Sequence, residues 1–289
     1  MVNRTPRALL LLTYGFVIVW VILSTFPFLW TFLGSFKVTS DFFGLDWMNV
    51  VTGEFTKKQT GGSLTGENYQ RLWVDQQFWR NALNTLMVTV SVVVISLTFG
   101  VLGGYALARS RARYAFWILI VALVFRAMPH ITLIAGYLYP FFELGIWGYL
   151  PTAIVVLVAI NQPFTIWMMR SFFLNVPTEL DESALVDGCT RIKAFWHVIM
   201  PVMWPGVVTT GLFSFLLAYN DFTVTVSLLS SENFTMVPRL NSFLGTVMYE
   251  GSRMNAVAAV VSATAPLFFL VMFFQRQLVT GLTQGAVKG

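Results

Sequence analysis

The side chains of this chain that could do chemistry within apolar surroundings are Arg126, His130, Asn161, Gln162, Asn220 and Asp221, which interrupt three long hydrophobic runs. A charged or amide group in such a run is costly to leave against hydrocarbon, so it faces other polar groups or a water-filled path. At 1.5 Å per helical residue, Arg126 lies roughly 17 Å into its run and Asn220 and Asp221 roughly 24 Å into theirs. Asn161 and Gln162 sit near the middle of a third run, just before Pro163, which should break or kink it. His130 falls one turn beyond Arg126 on the same helix face. Donors and acceptors arriving from three segments suit the passage of a hydroxyl-rich solute. The other reading of the same residues is an Arg126–Asp221 pair that only holds helices together. Catalysis has less to draw on. There is no G-x-x-x-x-G-K-[ST] run, so no nucleotide-phosphate loop, and no nucleophile stands in pattern with a base. Two histidines and one cysteine, Cys189, do not amount to a metal centre or an intrachain disulfide. No catalytic residue, metal ligand or cofactor is assigned to the chain itself.

The second concentration of polar residues is the insert 174–203, between two hydrophobic segments. Thr178 offers an N-cap, with Asp181 three residues on as a variant of the capping box. Glu179, Asp181 and Glu182 occupy a first turn, where the helix dipole favours negative charge. Gly188 supplies a position free of Cβ restriction for a sharp change of direction. Pro201 and Pro205 mark the return to the apolar phase, with Pro205 suited to a first helical turn. His197 packs or is solvated in this insert. The pattern is two short helices about a hinge, a rigid knob of the kind that docks into a partner's cleft; an amphipathic interfacial helix would share its composition.

The elements that carry these residues follow from composition. Hydrophobic residues make up 56% of the chain and charged residues 11%, against roughly 25% charged in soluble domains. Such a chain cannot cover a soluble surface, and the bilayer is its solvent. The net charge of +5 then belongs to loops at an anionic membrane face and not to nucleic-acid binding. A helical span needs about 20 apolar residues, and six segments qualify: 8–35, 82–108, 115–141, 150–173, 204–230 and 256–276. The first is too long for the apolar region of a cleavable signal. Alternation of the membrane-barrel kind is absent. The expected fold is therefore an all-α membrane protein of six spans. Residues 1–81 hold an N-terminal segment, the first span and an outer loop, and 82–289 hold a five-helix core with the 174–203 insert. Gly100 and Gly104 form a small-residue pair that lets helices approach closely. Six spans place both termini on one side. That side, with the insert and the 109–114 turn, carries ten lysines and arginines, and the other carries seven. The dense Arg109–Arg113 cluster and the charge-free 144–150 turn make the ten-residue side cytoplasmic.

The insert also resembles the "EAA" loop of ABC-importer permeases, in which Glu-Ala-Ala is followed after three residues by Gly, and after nine more by Ile-x-Leu-Pro. Glu182, Ala184, Gly188 and Pro201 stand at that spacing. Ser183 takes the place of the first Ala, Val198 that of Ile and Met200 that of Leu. Further likeness to carbohydrate-importer permeases of the maltose-permease-G type runs over most of the chain. It rests on Phe78–Asn84, Gly104–Arg109, Met128-Pro129, Asn220-Asp221-Phe222 and the tail Gly281–Gly289; Tyr219 stands where Trp is usual.

This resemblance implies the type I importer permease fold. It also implies a bacterial inner-membrane heterodimer with a second, similar permease, two copies of a cytoplasmic ATPase that uses ATP and Mg, and an extracytoplasmic solute-binding protein. Coupling to the ATPase would fall to Glu182, Ser183, Ala184, Asp187, Gly188 and Pro201. Gly281, Thr283, Gly285 and Lys288 of the cytoplasmic tail would reach the ATPase dimer. The implied activity is alternating-access import of a sugar or sugar-like solute. A polyol, glycerol phosphate or charged sugar derivative is the runner-up cargo. A self-contained secondary transporter built on Arg126 and Asp221 is a further alternative, and it leaves the docking pattern unexplained.

Overall fold

The computed structural model describes residues 7–110, 112–245 and 250–284. With no water to bond in hydrocarbon, a backbone must satisfy itself internally, and each apolar run is helical. The first span is α1 (Arg7–Gly34), whose apolar side chains are exposed along its length. Four short helices follow: α2 (Thr39–Phe42), α3 (Met48–Thr52), α4 (Glu54–Thr60) and α5 (Glu67–Gln70), the last leading into a π turn at Arg71–Asp75. Then come α6 (Phe78–Arg109), α7 (Arg113–Arg126), α8 (His130–Glu143) and α9 (Leu150–Phe173). The insert carries α10 (Glu179–Val186) and α11 (Arg191–Ala194), and a π turn at Phe195–Ile199 joins α11 to α12 (Met200–Tyr219). The remainder is α13 (Thr223–Leu228), α14 (Met236–Gly245) and α15 (Glu250–Gln284). No strand occurs among the described residues, only one isolated bridge between Gly148 and Leu229. Five helical stretches are long and apolar enough to cross a membrane, and the bent pair α7–α8 makes six.

The chain divides into two compact units. One comprises 1–78 and 240–265, the other 79–239 and 266–289. Residues 240–265 thus group with the N-terminal segment. In the first unit, the segment read as a long polar loop is a packed helical knot. Its buried Asp41 accepts from Phe55 N at 3.0 Å, Thr56 N at 2.8 Å and Thr56 Oγ1 at 2.5 Å. A carboxylate from another segment therefore satisfies the donors that open α4.

The second unit holds the candidate site. α6 and α9 cross closely because glycines line the contact. A Cβ on Gly100 would lie 2.4 Å from Thr165 Cγ2, and one on Gly104 2.6 Å from Met169 Cβ. One buried apolar cluster joins Val88 and Val92 to Val156, Ile160, Val224 and Leu228. A second joins Val101, Met169 and Phe173 to Phe195, Ile199 and Met203 of the insert.

Three span expectations are corrected. The run 115–141 is not one straight helix: α7 and α8 meet at 95°. Pro129 has no N–H to continue α7 and disfavours helical geometry at Met128. Pro163, expected to break the fourth span, lies inside α9, which continues to Phe173. The fifth span begins at Arg191 and stops at Tyr219, so that 220–230 is a break followed by α13.

Candidate functional site

The insert is a knob with a buried root and an exposed tip. Thr178 is not a side-chain cap of α10 and makes no capping bond there. The capping expectation fails because Thr178 itself has helical dihedrals (φ −67°, ψ −22°) and not the extended geometry of a cap, and Asp181, its supposed reciprocal partner, is bonded to another helix. Its Oδ1 accepts from Tyr105 Oη at 2.6 Å, and its Oδ2 accepts from Arg109 Nε at 2.8 Å, with Arg109 Nη2 at 2.7 Å. The true cap in the insert is Thr190, whose hydroxyl accepts from Lys193 N at 3.3 Å at the start of α11.

Gly188 ends α10 with φ +82°, a left-handed conformation that glycine adopts without steric cost. Gly188 N donates to Leu185 O at 3.1 Å and Cys189 N to Ala184 O at 3.0 Å, the paired bonds of a Schellman C-terminus. Ala184 is buried at the root, which accounts for a small residue there. Glu182, Ser183, Asp187 and Gly188 are exposed, as are Val186 (87%) and Ile192 (74%). Pro201 lies at the start of α12, just past the π turn, and is also exposed. Acidic groups and apolar side chains are thus exposed together at one tip.

Arg109 and Tyr105 were not singled out as site residues from sequence. Arg109 closes α6, and its Nη1 and Nη2 also donate to the carbonyls of Phe173 and Val176 at 3.2 Å each. Tyr105 packs against Phe173 and Phe195, with ring centroids 5.4 and 4.8 Å apart. The available signal was their i, i+4 spacing at the end of a membrane helix, opposite an acidic first turn.

The intramembrane residues do not form one common set. Arg126 and His130, placed on one helix face by the sequence, stand on either side of the α7–α8 bend. They still line a single cavity of about 250 Å³, together with Tyr137, Leu133 and Pro163. The Arg126 guanidinium lies over the Phe164 ring at 4.4 Å. Arg126 and Asp221 do not pair with each other, unlike Arg109 and Asp181, whose ion pair is 2.7 Å long. Asp221 Oδ1 instead accepts from Thr225 N at 2.9 Å in the first turn of α13, and α13 packs against α8. Asn220 is exposed, its Nδ2 donating to Leu216 O at 3.0 Å. Asn161 is fully buried between α9 and α12, donating to Ser214 Oγ at 2.8 Å, and does not line the Arg126 cavity. Gln162 borders a neighbouring, mainly apolar cavity of about 350 Å³ with Leu107 and Ile118. Gly281 and Thr283 fall in the last turns of α15; Gly285 and Lys288 lie outside the described residues.

Residues 96–284 match the family of binding-protein-dependent transport system inner membrane components. The chain is 34% identical over 267 residues to the diacetylchitobiose uptake system permease protein DasC of Streptomyces coelicolor, covering 91% of this chain and 92% of that one. It is 29% identical to the trehalose transport system permease protein SugB of Mycobacterium tuberculosis, covering 93% and 97%. Among solved structures, a bacterial ABC transporter importing the acidic polysaccharide alginate superposes with a TM-score of 0.73 over 96% of this chain and 98% of that one, at 20% identity.

Proposed function

The chain belongs to the family of binding-protein-dependent transport system inner membrane components, and from that membership we propose that it is the permease subunit of an ATP-driven importer that moves a sugar or sugar-like solute into the cytoplasm. The observation that carries this reading is the knob at 177–201. It presents the Glu182–Gly188 register on an exposed tip while its root is buried in the apolar cluster around Phe173 and Phe195. A surface so built takes a push from a partner and passes it to membrane helices. The named cargoes of relatives, diacetylchitobiose and trehalose, support a sugar.

In this reading a second permease completes the pathway. Two ATPase subunits, holding ATP and Mg, seat against the two permeases' knobs, and a solute-binding protein delivers cargo on the opposite face. Both termini and the knob are cytoplasmic, and the tail from Gly281 onward reaches the ATPases. The cavity of Arg126 and His130 is the part of this chain best placed to meet solute. It combines a guanidinium, an imidazole and Tyr137 within an otherwise apolar wall, the mixture that orients a polar ligand.

The test is reconstitution of the assembled complex with its ATPase and binding protein. Glu182→Lys reverses charge on the tip, and Gly188→Val forces a β-branched residue into the left-handed region. Both variants are expected to insert normally and to lose ATP-driven uptake, together with ATPase docking or its stimulation by loaded binding protein. Full uptake by both would remove the knob from the coupling role.

A second reading of the cargo has one observation in its favour. Arg126 faces the cavity with no carboxylate partner among the described residues, an arrangement suited to a uronate or sulfonate group. Competition of labelled uptake by neutral and acidic sugars decides it. For an acidic cargo, Arg126→Met lowers apparent affinity with complex yield retained. Equal competition by neutral sugars excludes it.

A further inference from the structure

We propose that Arg109, held by Tyr105, is the positioning residue that couples the docking knob to two membrane helices at once, and so sets how much solute moves for each ATP hydrolysed. The inference rests on the importer reading above and goes beyond it, assigning a role to residues outside the docking motif.

The geometry is specific. One planar guanidinium at the C-terminus of α6 grips Asp181 of α10 through Nε and Nη2, and grips the carbonyls of Phe173, the last residue of α9, and Val176, in the turn that leaves it, through Nη1 and Nη2. Tyr105, one turn earlier on α6, donates to the other carboxylate oxygen. The same tyrosine ring lies against Phe173 of α9 and Phe195 of the π turn that ends the insert. Thus the first helix of the knob, the exit from α9 and the return toward α12 all meet at the last turn of α6.

The pair is also sheltered, with side chains 17% and 18% exposed, unlike the exposed i, i+4 pairs Lys58–Glu54 and Arg71–Glu67. Screening by salt is correspondingly weaker.

Apolar contacts alone would not transmit a directed movement well, because hydrophobic attraction has no preferred direction and packed helices can slide over one another. A fork of charge-assisted hydrogen bonds does have direction, and a lysine cannot reproduce it. Displacement of Asp181 by a docked partner turns the guanidinium, and the carbonyls of Phe173 and Val176 at the exit from α9 turn with it. Close contact at Gly100 and Gly104 keeps α6 and α9 together farther along their length. The knob therefore acts on α6 and α9 as a pair.

Removing the carboxylate does not strand the arginine. Its remaining partners are carbonyls at the C-terminal end of α9, and it stands at the C-terminus of α6; both helix ends favour a cation. Asp181→Asn is accordingly a variant that folds and assembles.

The experiment uses the full complex in liposomes, with binding protein, ATP and the labelled sugar that the binding protein carries. Three quantities are read: complex yield, ATP hydrolysis, and solute imported per ATP. Asp181→Asn and Arg109→Lys are expected to retain yield and ATP hydrolysis within about twofold of the parent and to import roughly tenfold less solute per ATP, the scale of one charge-assisted hydrogen bond. Tyr105→Phe should give a smaller loss, and Asp181→Glu should restore much of the ratio. The double variant Arg109→Lys with Asp181→Asn should be no worse than the more impaired single variant, because both disable one linkage. An unchanged import-per-ATP ratio in both single variants, or loss confined to complex yield, overturns the proposal while leaving the importer reading intact. Absence of ATP-dependent uptake by the parent complex overturns the importer reading, and the coupling role with it.

Discussion

At the scale of single residues, chemical type proved a weaker guide than the company each side chain keeps. Asn161 and Arg126 are both polar groups in apolar helices, yet one is sealed and the other lines a cavity. Asn161 Nδ2 donates to Ser214 Oγ at 2.8 Å, and the Thr165 hydroxyl lies 3.4 Å from the same Ser214 oxygen. This is a structural bridge between α9 and α12. Asn161→Ala should therefore destabilise the complex by about 1–3 kcal/mol, the cost of orphaning a buried group and leaving a small void. Thermal unfolding in detergent should record the loss, while apparent affinity for solute stays at the parent value. A marked fall in affinity without a change in unfolding temperature would return Asn161 to the solute path. Asp41 carries a similar lesson. It reads as one charge in a polar loop, and it is in fact the buried acceptor that organises α4.

At the scale of elements, the break between α7 and α8 most changes the reading of the chain. A proline within a long apolar run either is absorbed or ends the helix, and both outcomes occur here. Pro163 is absorbed inside α9, whereas Pro129 stands at ψ 120° and turns the chain by 95°. The bend brings Arg126 at the end of one helix and His130 at the start of the next to the same cavity. Pro129→Ala restores the missing N–H and relieves the restriction on Met128. It should favour a straighter span and draw Arg126 and His130 out of register with the cavity. We expect reduced uptake at unchanged complex yield. Uptake equal to that of the parent would mean that the bend has no part in transport. The knob shows the opposite behaviour, in that its helices are short but well terminated. The Schellman pair at Gly188 and the Thr190 cap define α10 and α11 with local bonds, so a docked partner meets a surface of fixed shape.

At the scale of the whole molecule, the prediction is topological. The proposed topology takes the five long apolar helices and the bent pair as six crossings, which would return the chain to the side from which it started. On the charge bias of the basic 109–113 turn, we propose that this side is the cytoplasm. In a Cys189→Ser background, single cysteines at positions 60, 112, 190 and 285 should react with a membrane-impermeant maleimide in a fixed pattern. Position 60 should react from outside intact cells, and the other three only after the inner face is opened. Labelling of 112 or 190 from outside would reverse the orientation and place the knob where no cytoplasmic ATPase could reach it.

The class of the protein, its long apolar helices and the position of its polar insert were legible in the sequence because each depends on local pattern. A run of apolar residues, a basic turn, and a glycine at the end of an acidic helix keep their meaning wherever the rest of the chain lies. Gly100 and Gly104 were likewise readable as a close helix contact, since small residues leave few other roles in a membrane helix. Partnerships across the fold were not legible. Asp181 stands where the capping-box partner of Thr178 is expected, and only the approach of α6 reveals that Tyr105 and Arg109 claim it, 76 and 72 residues away in the chain. Asp221 reads as the natural counter-charge for Arg126, but it caps α13 because a backbone donor four residues on lies nearer than a guanidinium on another helix. Local spacing determines which groups enter the membrane and which enter the insert. Tertiary packing decides which of them meet, because a hydrogen bond forms only between atoms that arrive within about 3 Å of each other.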